Sequence, residues 1–165
     1  MIYEDLFQEL QTAGVRYLVV GGVAVLLHGF VRTTADLDLM VALDSDNLAI
    51  FLDLMKRRGY KPKVPVSIEE FADPKKRQSW IVEKGMKVFS LIHPQKLQEL
   101  IDVFVDEPIP FAEAYHRREK VKIGASEVSV IGAEDLITLK KKSGRPQDLE
   151  DIRALESFFK EKKRV

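Results

Sequence analysis

Asp36 and Asp38 stand two residues apart in a stretch where Leu37, Leu39, Val41 and Leu43 alternate with Asp36, Asp38, Met40 and Ala42. A period of two is that of a strand, so both carboxylates leave the same face, and like charges so placed call for a cation between them. All-oxygen ligands suit Mg²⁺, which keeps several waters and completes its shell with substrate phosphates, so the pair implies a phosphate ligand. A third carboxylate, Asp102, lies in Leu100–Asp106, where Ile101, Val103 and Val105 alternate with Asp102, Phe104 and Asp106. It could reach a second ion, and two ions would stabilise the attacking and the leaving oxygen of an in-line displacement at phosphorus. Asp106 shares that face and is the substitute if Asp102 points elsewhere.

Gly21-Gly22 ends the apolar run Tyr17–Val20 and opens a helix, which would let backbone N–H groups approach phosphate oxygens near a positive helix end. Alone, the pair reads better as a tight turn, and neither the Walker pattern nor G-x-G-x-x-G is present. Taken with His28-Gly29, Arg32, Thr34 and Asp36-Leu37-Asp38, the segment Val20-Gly21-Gly22 resembles the signature of polymerase-beta-like nucleotidyltransferases. Within that superfamily the resemblance is to the minimal prokaryotic branch, which includes antibiotic nucleotidyltransferases and the toxins of abortive-infection and toxin-antitoxin systems. Glu134-Asp135-Leu136-Ile137, Lys140, Gly144-Arg145-Pro146, Asp148-Leu149 and Asp151-Ile152 are similar to the C-terminal motif of this branch.

The resemblance, from about Val19 to Leu155, implies an α+β fold with a twisted mixed sheet flanked by helices. It implies Mg²⁺-dependent transfer of a nucleoside monophosphate from a nucleoside triphosphate such as ATP to an acceptor hydroxyl, releasing pyrophosphate. Gly21, Gly22, Arg32 and Thr34 would bind the nucleotide, and Asp36, Asp38 and Asp102 would hold metal and do the catalysis. Lys140 with Arg145 would reach toward nucleotide or acceptor, with Asp148 orienting one of those cations. The acceptor is left open among a tRNA end, a protein hydroxyl and a small alcohol, and an antitoxin or a second subunit is a possible partner. A non-catalytic nucleotide-binding or toxin-antitoxin module on the same fold is the competing reading, against which the intact Asp36 and Asp38 argue.

Plain structural explanations also exist. Lys140 lies in a Lys140-Lys141-Lys142 run before Gly144, where cations favour a helix end; Pro146 suits a first helical position and Asp148 a first turn. His28 and His116 have no arrangement that nominates either as a base. The clusters Lys75-Lys76-Arg77, His116-Arg117-Arg118 and Lys160 to Arg164 read as solvated faces, one of which could guide an RNA acceptor. Trp80 reads as partly buried.

The elements that must position these residues come from periodicity. Leu6, Phe7, Leu10 and Ala13 predict a helix over 3–13 closed by Gly14; Tyr17–Val20 predicts a strand and Val23–His28 a helix stopped near Gly29. Asp44, Ser45 and Asp46 offer caps for a helix with the stripe Leu48, Phe51, Leu52, Met55 before Gly59. Residues 62–74 read as irregular around a helical turn at 67–71. A helix over 75–83, a strand over 87–92, a helix over 111–117, strands at 121–123 and 127–131 and helices from Glu134 and Pro146 complete the chain. Strand 37–43 should neighbour strand 100–105, with helices mainly on one side of the sheet.

At 165 residues, 45% hydrophobic and 32% charged, the chain suits one folded domain, with 133–165 a helical segment packing on it. Lysine plus arginine equals aspartate plus glutamate at 26 each, so any polyanion site must be local. Without cysteine, disulfides, thiolate metal sites and cysteine nucleophiles are excluded. The acidic N-terminus and the lack of a long apolar run predict a cytoplasmic protein with no membrane partner.

Overall fold

A computed structural model describes residues 2–163. Helix α1 (Glu4–Ala13) buries Leu6, Phe7 and Leu10 and closes on Gly14 in the left-handed region. Strand β1 (Tyr17–Val20) runs straight into α2 (Gly21–Leu27). The two glycines are therefore the first residues of the helix, not a turn ahead of it. Gly21 has φ 67°, which a residue without Cβ adopts readily and which lets the chain pass from strand to helix at once.

Strand β2 (Leu37–Val41) is shorter than its alternation predicts, and Asp36 stands exposed just before it. Pairing explains the difference: the ladder to β1 ends where Val20 meets Asp38, and the ladder to β5 begins where Leu37 meets Ile101. Nothing in the sheet pairs with Asp36. Helix α3 (Ser45–Arg57) starts on Asp44, whose side chain accepts from the Asn47 N–H, and buries the predicted stripe.

The proline-rich stretch yields a two-residue strand β3 (Lys61–Pro62), absent from the sequence reading, and a 3-10 helix Ile68–Ala72. Helix α4 (Pro74–Lys84), strands β4 (Val88–Ile92) and β5 (Leu100–Phe104), helix α5 (Phe111–His116), strands β6 (Glu119–Ile123) and β7 (Ser126–Val130) and helices α6 (Ala133–Ser143) and α7 (Pro146–Lys163) complete the order. Trp80 is fully buried and stacks on Phe89, ring centroids 5.2 Å apart.

The seven strands form one mixed sheet in the order β3-β4-β5-β2-β1-β7-β6, with β2 beside β5 in parallel as the two acidic strands predict. Residues of β4 and β5 alternate between buried and half-buried, so that side of the sheet is covered on one face. β1 is buried at every position, hence covered on both faces. The reason is its unbroken apolar run, which has no polar face to leave in water. Helix α2 packs on β1 and β2, and α6 joins α2 to α7. Among the described residues no helix is long and apolar enough to cross a membrane.

The basic clusters are largely solvated, as expected, with specific ties at three arginines. Arg77 is buried and donates to the Phe71 carbonyl at 2.5 Å, Arg117 pairs with Asp135 at 3.0 Å, and Arg118 lies 3.8 Å over the Tyr115 ring. Lys160 is exposed, and Arg164 of the last cluster lies outside the described residues.

Candidate active site

The strand registers build a row across four strands. Ser90 of β4 faces Asp102 of β5, Asp102 faces Asp38 of β2, and Asp38 faces Val20 of β1. The next residue along β1 is Gly21, and a Cβ there would collide with Asp38 Oδ2. Glycine is thus required at 21 twice over, by its φ and by the carboxylate lying against it. Asp38 and Asp102 are half-buried, and Asp36 is exposed at the mouth of the row.

Electrostatics single out Asp38. Burial first, then the negative charges of Asp102 and Asp36, push its carboxyl up to about 7, against the pull of Arg145 and Lys140. Among the described residues no three His, Cys, Asp or Glu side chains are gathered so as to hold a metal ion by themselves. Asp106 stands exposed beyond the end of β5, away from the position opposite Asp38.

Two further residues hold the row, and the sequence reading passed over both. Ser90 Oγ donates to Asp102 Oδ1 at 2.6 Å. The Tyr3 hydroxyl bonds the carbonyls of Ala35 at 3.1 Å and Leu100 at 3.3 Å, tying the residue before Asp36 to the start of β5. Burial pushes this phenol up to about 12, so it stays a donor. Tyr3 looks like an ordinary member of the α1 stripe. Ser90 was detectable only by counting parity along β4, which puts it on the half-exposed face.

The predicted cations gather on the other side of the glycines. A Cβ on Gly22 would strike the Arg32 guanidinium and Thr34 Oγ1, so both side chains lie across that bare backbone. Arg32 Nε forms an ion pair with Asp151 Oδ1 at 3.1 Å, without hydrogen-bond alignment. Lys140 Nζ reaches Asp151 Oδ2 at 2.8 Å and Asp148 Oδ1 at 3.5 Å. Lys140, Asp148 and Asp151 are only 4%, 1% and 4% exposed.

Arg145 closes the chain of charges with Nε 3.0 Å from Asp148 Oδ2, but its side chain is 73% exposed. Burial would raise the Asp148 carboxyl, but hydrogen bonds from Arg145 and Ser143 override it and hold the group down at about 2. Asp151 was legible in the C-terminal motif but had no assigned role. His28 bonds the Ile131 carbonyl at 2.7 Å, a structural tie. Two surface hollows of about 350 Å³, one beside Tyr60 and Ile68 and one beside His28 and Phe159, include no carboxylate of the row.

The site is thus a mixed sheet that sets Asp38 opposite Asp102 beside a glycine pair, bordered by the buried Lys140, the half-buried Arg32 and the exposed Arg145. The chain belongs to the family described as "Nucleotidyl transferase of unknown function (DUF2204)", whose model matches residues 1–165. The protein is therefore a nucleotidyltransferase. No curated protein matches it.

Among solved structures it is similar in fold to the lincosamide antibiotic adenylyltransferase LnuA bound to lincomycin (15% identity, 93% of each chain covered, TM-score 0.58). It is also similar to ANT(2″)-Ia in complex with adenylyl-2″-tobramycin (14% identity, 96% of this chain and 87% of that one, TM-score 0.60). A third is an antigenic nucleotidyltransferase-like protein from Paracoccidioides brasiliensis (18% identity, 93% and 73% covered, TM-score 0.56). At these identities the likeness concerns the fold.

Proposed function

We propose that this nucleotidyltransferase moves a nucleoside monophosphate from a nucleoside triphosphate to an acceptor hydroxyl, releasing pyrophosphate, with Mg²⁺ held by Asp36, Asp38 and Asp102. The observation that carries the reading is the pairing of Asp38 with Asp102 across parallel strands, where burial and neighbouring charge push Asp38 up to about 7. A divalent cation would relieve that repulsion, and the small number of protein oxygens fits Mg²⁺, which fills its shell with water and phosphate. Bound there, the ion would offset charge on the triphosphate and on the transition state.

The protein groups would divide the rest. Gly21 and Gly22 add no side chain of their own at the start of α2, where a triphosphate would meet Asp38 against the first glycine and Arg32 and Thr34 across the second. Arg145, largely exposed, is free to turn from Asp148 onto a phosphate, whereas Lys140 would act by fixing Asp148 and Asp151 from within its buried pairs. Arg32 and Thr34 would shape the floor beside Gly22. Asp102 would accept the proton of the acceptor hydroxyl as its oxygen bonds to the α-phosphorus and the bond to the pyrophosphate oxygen breaks. Positioning and charge neutralisation would supply most of the rate.

In this reading residues 1–165 act as one unit, with 133–165 backing the cationic side. The fold shared with two antibiotic adenylyltransferases makes a small alcohol the first acceptor to test, ahead of a tRNA end or a protein hydroxyl, and a second subunit or an antitoxin could border the same face. Calorimetric titration of ATP, GTP, CTP and UTP, with and without Mg²⁺, into wild type and Asp36→Ala/Asp38→Ala tests the site. Mg²⁺-dependent binding lost in the variant is expected. Binding that survives in the variant, or none by a folded wild type, would overturn the reading.

A further inference from the structure

We infer that Ser90 is a positioning residue that makes Asp102 a one-oxygen ligand and thereby biases the site toward Mg²⁺ over Ca²⁺; the inference rests on the metal reading above. β4 alternates between buried and half-buried residues, which places Ser90 on the face that carries Asp102, and the antiparallel register sets the two directly opposite. Its backbone is held on both flanks: the ladder to β5 on one side, and on the other the Ser90 carbonyl accepting from the Lys63 N–H at 2.9 Å. The hydroxyl therefore starts from a fixed point, and it donates to Asp102 Oδ1 at 2.6 Å.

A hydrogen bond to a carboxylate oxygen does two things. It restrains rotation of the carboxylate, and it occupies one oxygen, so that an incoming cation meets the other. Mg²⁺ demands near-ideal octahedral geometry and takes carboxylates through single oxygens, whereas Ca²⁺ accepts six to eight ligands and readily takes both oxygens of one carboxylate. A donor on Oδ1 disfavours the two-oxygen mode. Ser90 thus does for Asp102 what Gly21 does for Asp38: one restrains a carboxylate by a bond, the other by leaving room for it.

The test is calorimetric titration of Mg²⁺ and of Ca²⁺ into the full chain, with and without α,β-methylene-ATP, for wild type, Ser90→Ala, Ser90→Thr, Asp38→Asn, Asp102→Asn and Ser90→Ala/Asp102→Asn. Ser90→Ala is expected to weaken Mg²⁺ about tenfold, the order seen when a partner of a metal ligand is removed, and to weaken Ca²⁺ less. Ser90→Thr, which keeps the hydroxyl, should restore the wild-type ratio, and Ser90→Ala should add nothing once Asp102 is Asn. An unchanged Mg²⁺ to Ca²⁺ ratio in a folded Ser90→Ala protein, while Asp102→Asn still weakens Mg²⁺, overturns the role of Ser90 alone. If Asp102→Asn and Asp38→Asn both bind Mg²⁺ as wild type does, or wild type binds none, the metal reading falls and this inference with it.

Discussion

Asp38 and Asp148 are both shielded aspartates, yet one carboxyl is pushed up to about 7 and the other held down at about 2. Burial raises both. Asp38 adds to burial the repulsion of Asp102 and Asp36, whereas Asp148 receives hydrogen bonds from Arg145 and Ser143. The acidic row therefore carries charge that the protein does not neutralise, and the network of Arg32, Asp151, Lys140, Asp148 and Arg145 carries charge that it does. In the function proposed above, the unresolved charge of the row is where a ligand would bind, and the paired charge around Lys140 holds the helices behind it.

The largest expected effect is on the scaffolding. Lys140→Ala would leave Asp148 and Asp151 buried with a cation missing, and urea unfolding should show a loss of about 3–5 kcal/mol. A loss below about 1 kcal/mol would mean the network is not the tie between α6 and α7 that it resembles. Asp38→Asn should do the reverse: Mg²⁺-dependent triphosphate affinity falls about 100-fold while the metal-free protein melts at a higher temperature, because a repulsive charge has gone. A lower melting temperature in that variant would erase the contrast.

Acid offers a subtler separation. The folded Asp148 titrates near 2, below its ordinary value of 3.8, so between these values the folded state binds fewer protons than the unfolded one. Its stabilisation, about 2 kcal/mol, is complete above pH ~4 and is lost as the pH falls toward 2. Unfolding free energies from pH 4 to pH 2 should drop by about that much more in wild type than in Asp148→Asn. The smallest effect sharpens the border between the regions. Arg145→Ala should cost under about 1 kcal/mol of stability, its side chain being mostly in water, but lower triphosphate affinity about tenfold.

Much of the architecture was legible because it rests on local rules. The stripe Leu6, Phe7, Leu10 under Gly14, the Asp44 cap of α3 and the alternation around Asp102 each encode an element within a few residues. Two carboxylate strands with greasy backs also foretold the β2–β5 pairing. What was missed depended on partners distant in the chain. β3 exists only because β4 offers it an edge, and Asp36 falls outside β2 because the β1 ladder reaches only to Asp38 and the β5 ladder only to Leu37.

The site divides along the same line. The sequence by itself determined the chemical inventory, the spacing of Asp36 and Asp38 and the presence of a glycine pair at the end of the Tyr17–Val20 run, since residue type and short-range period depend on nothing else. Only the tertiary structure decided that Ser90 bonds Asp102, that Tyr3 ties Ala35 to Leu100, and that Lys140 spends its charge on Asp148 and Asp151 rather than standing free. Those contacts join residues from separate strands and helices. Their energies turn on registers and burial that the assembled sheet sets, and no stretch of chain specifies them alone.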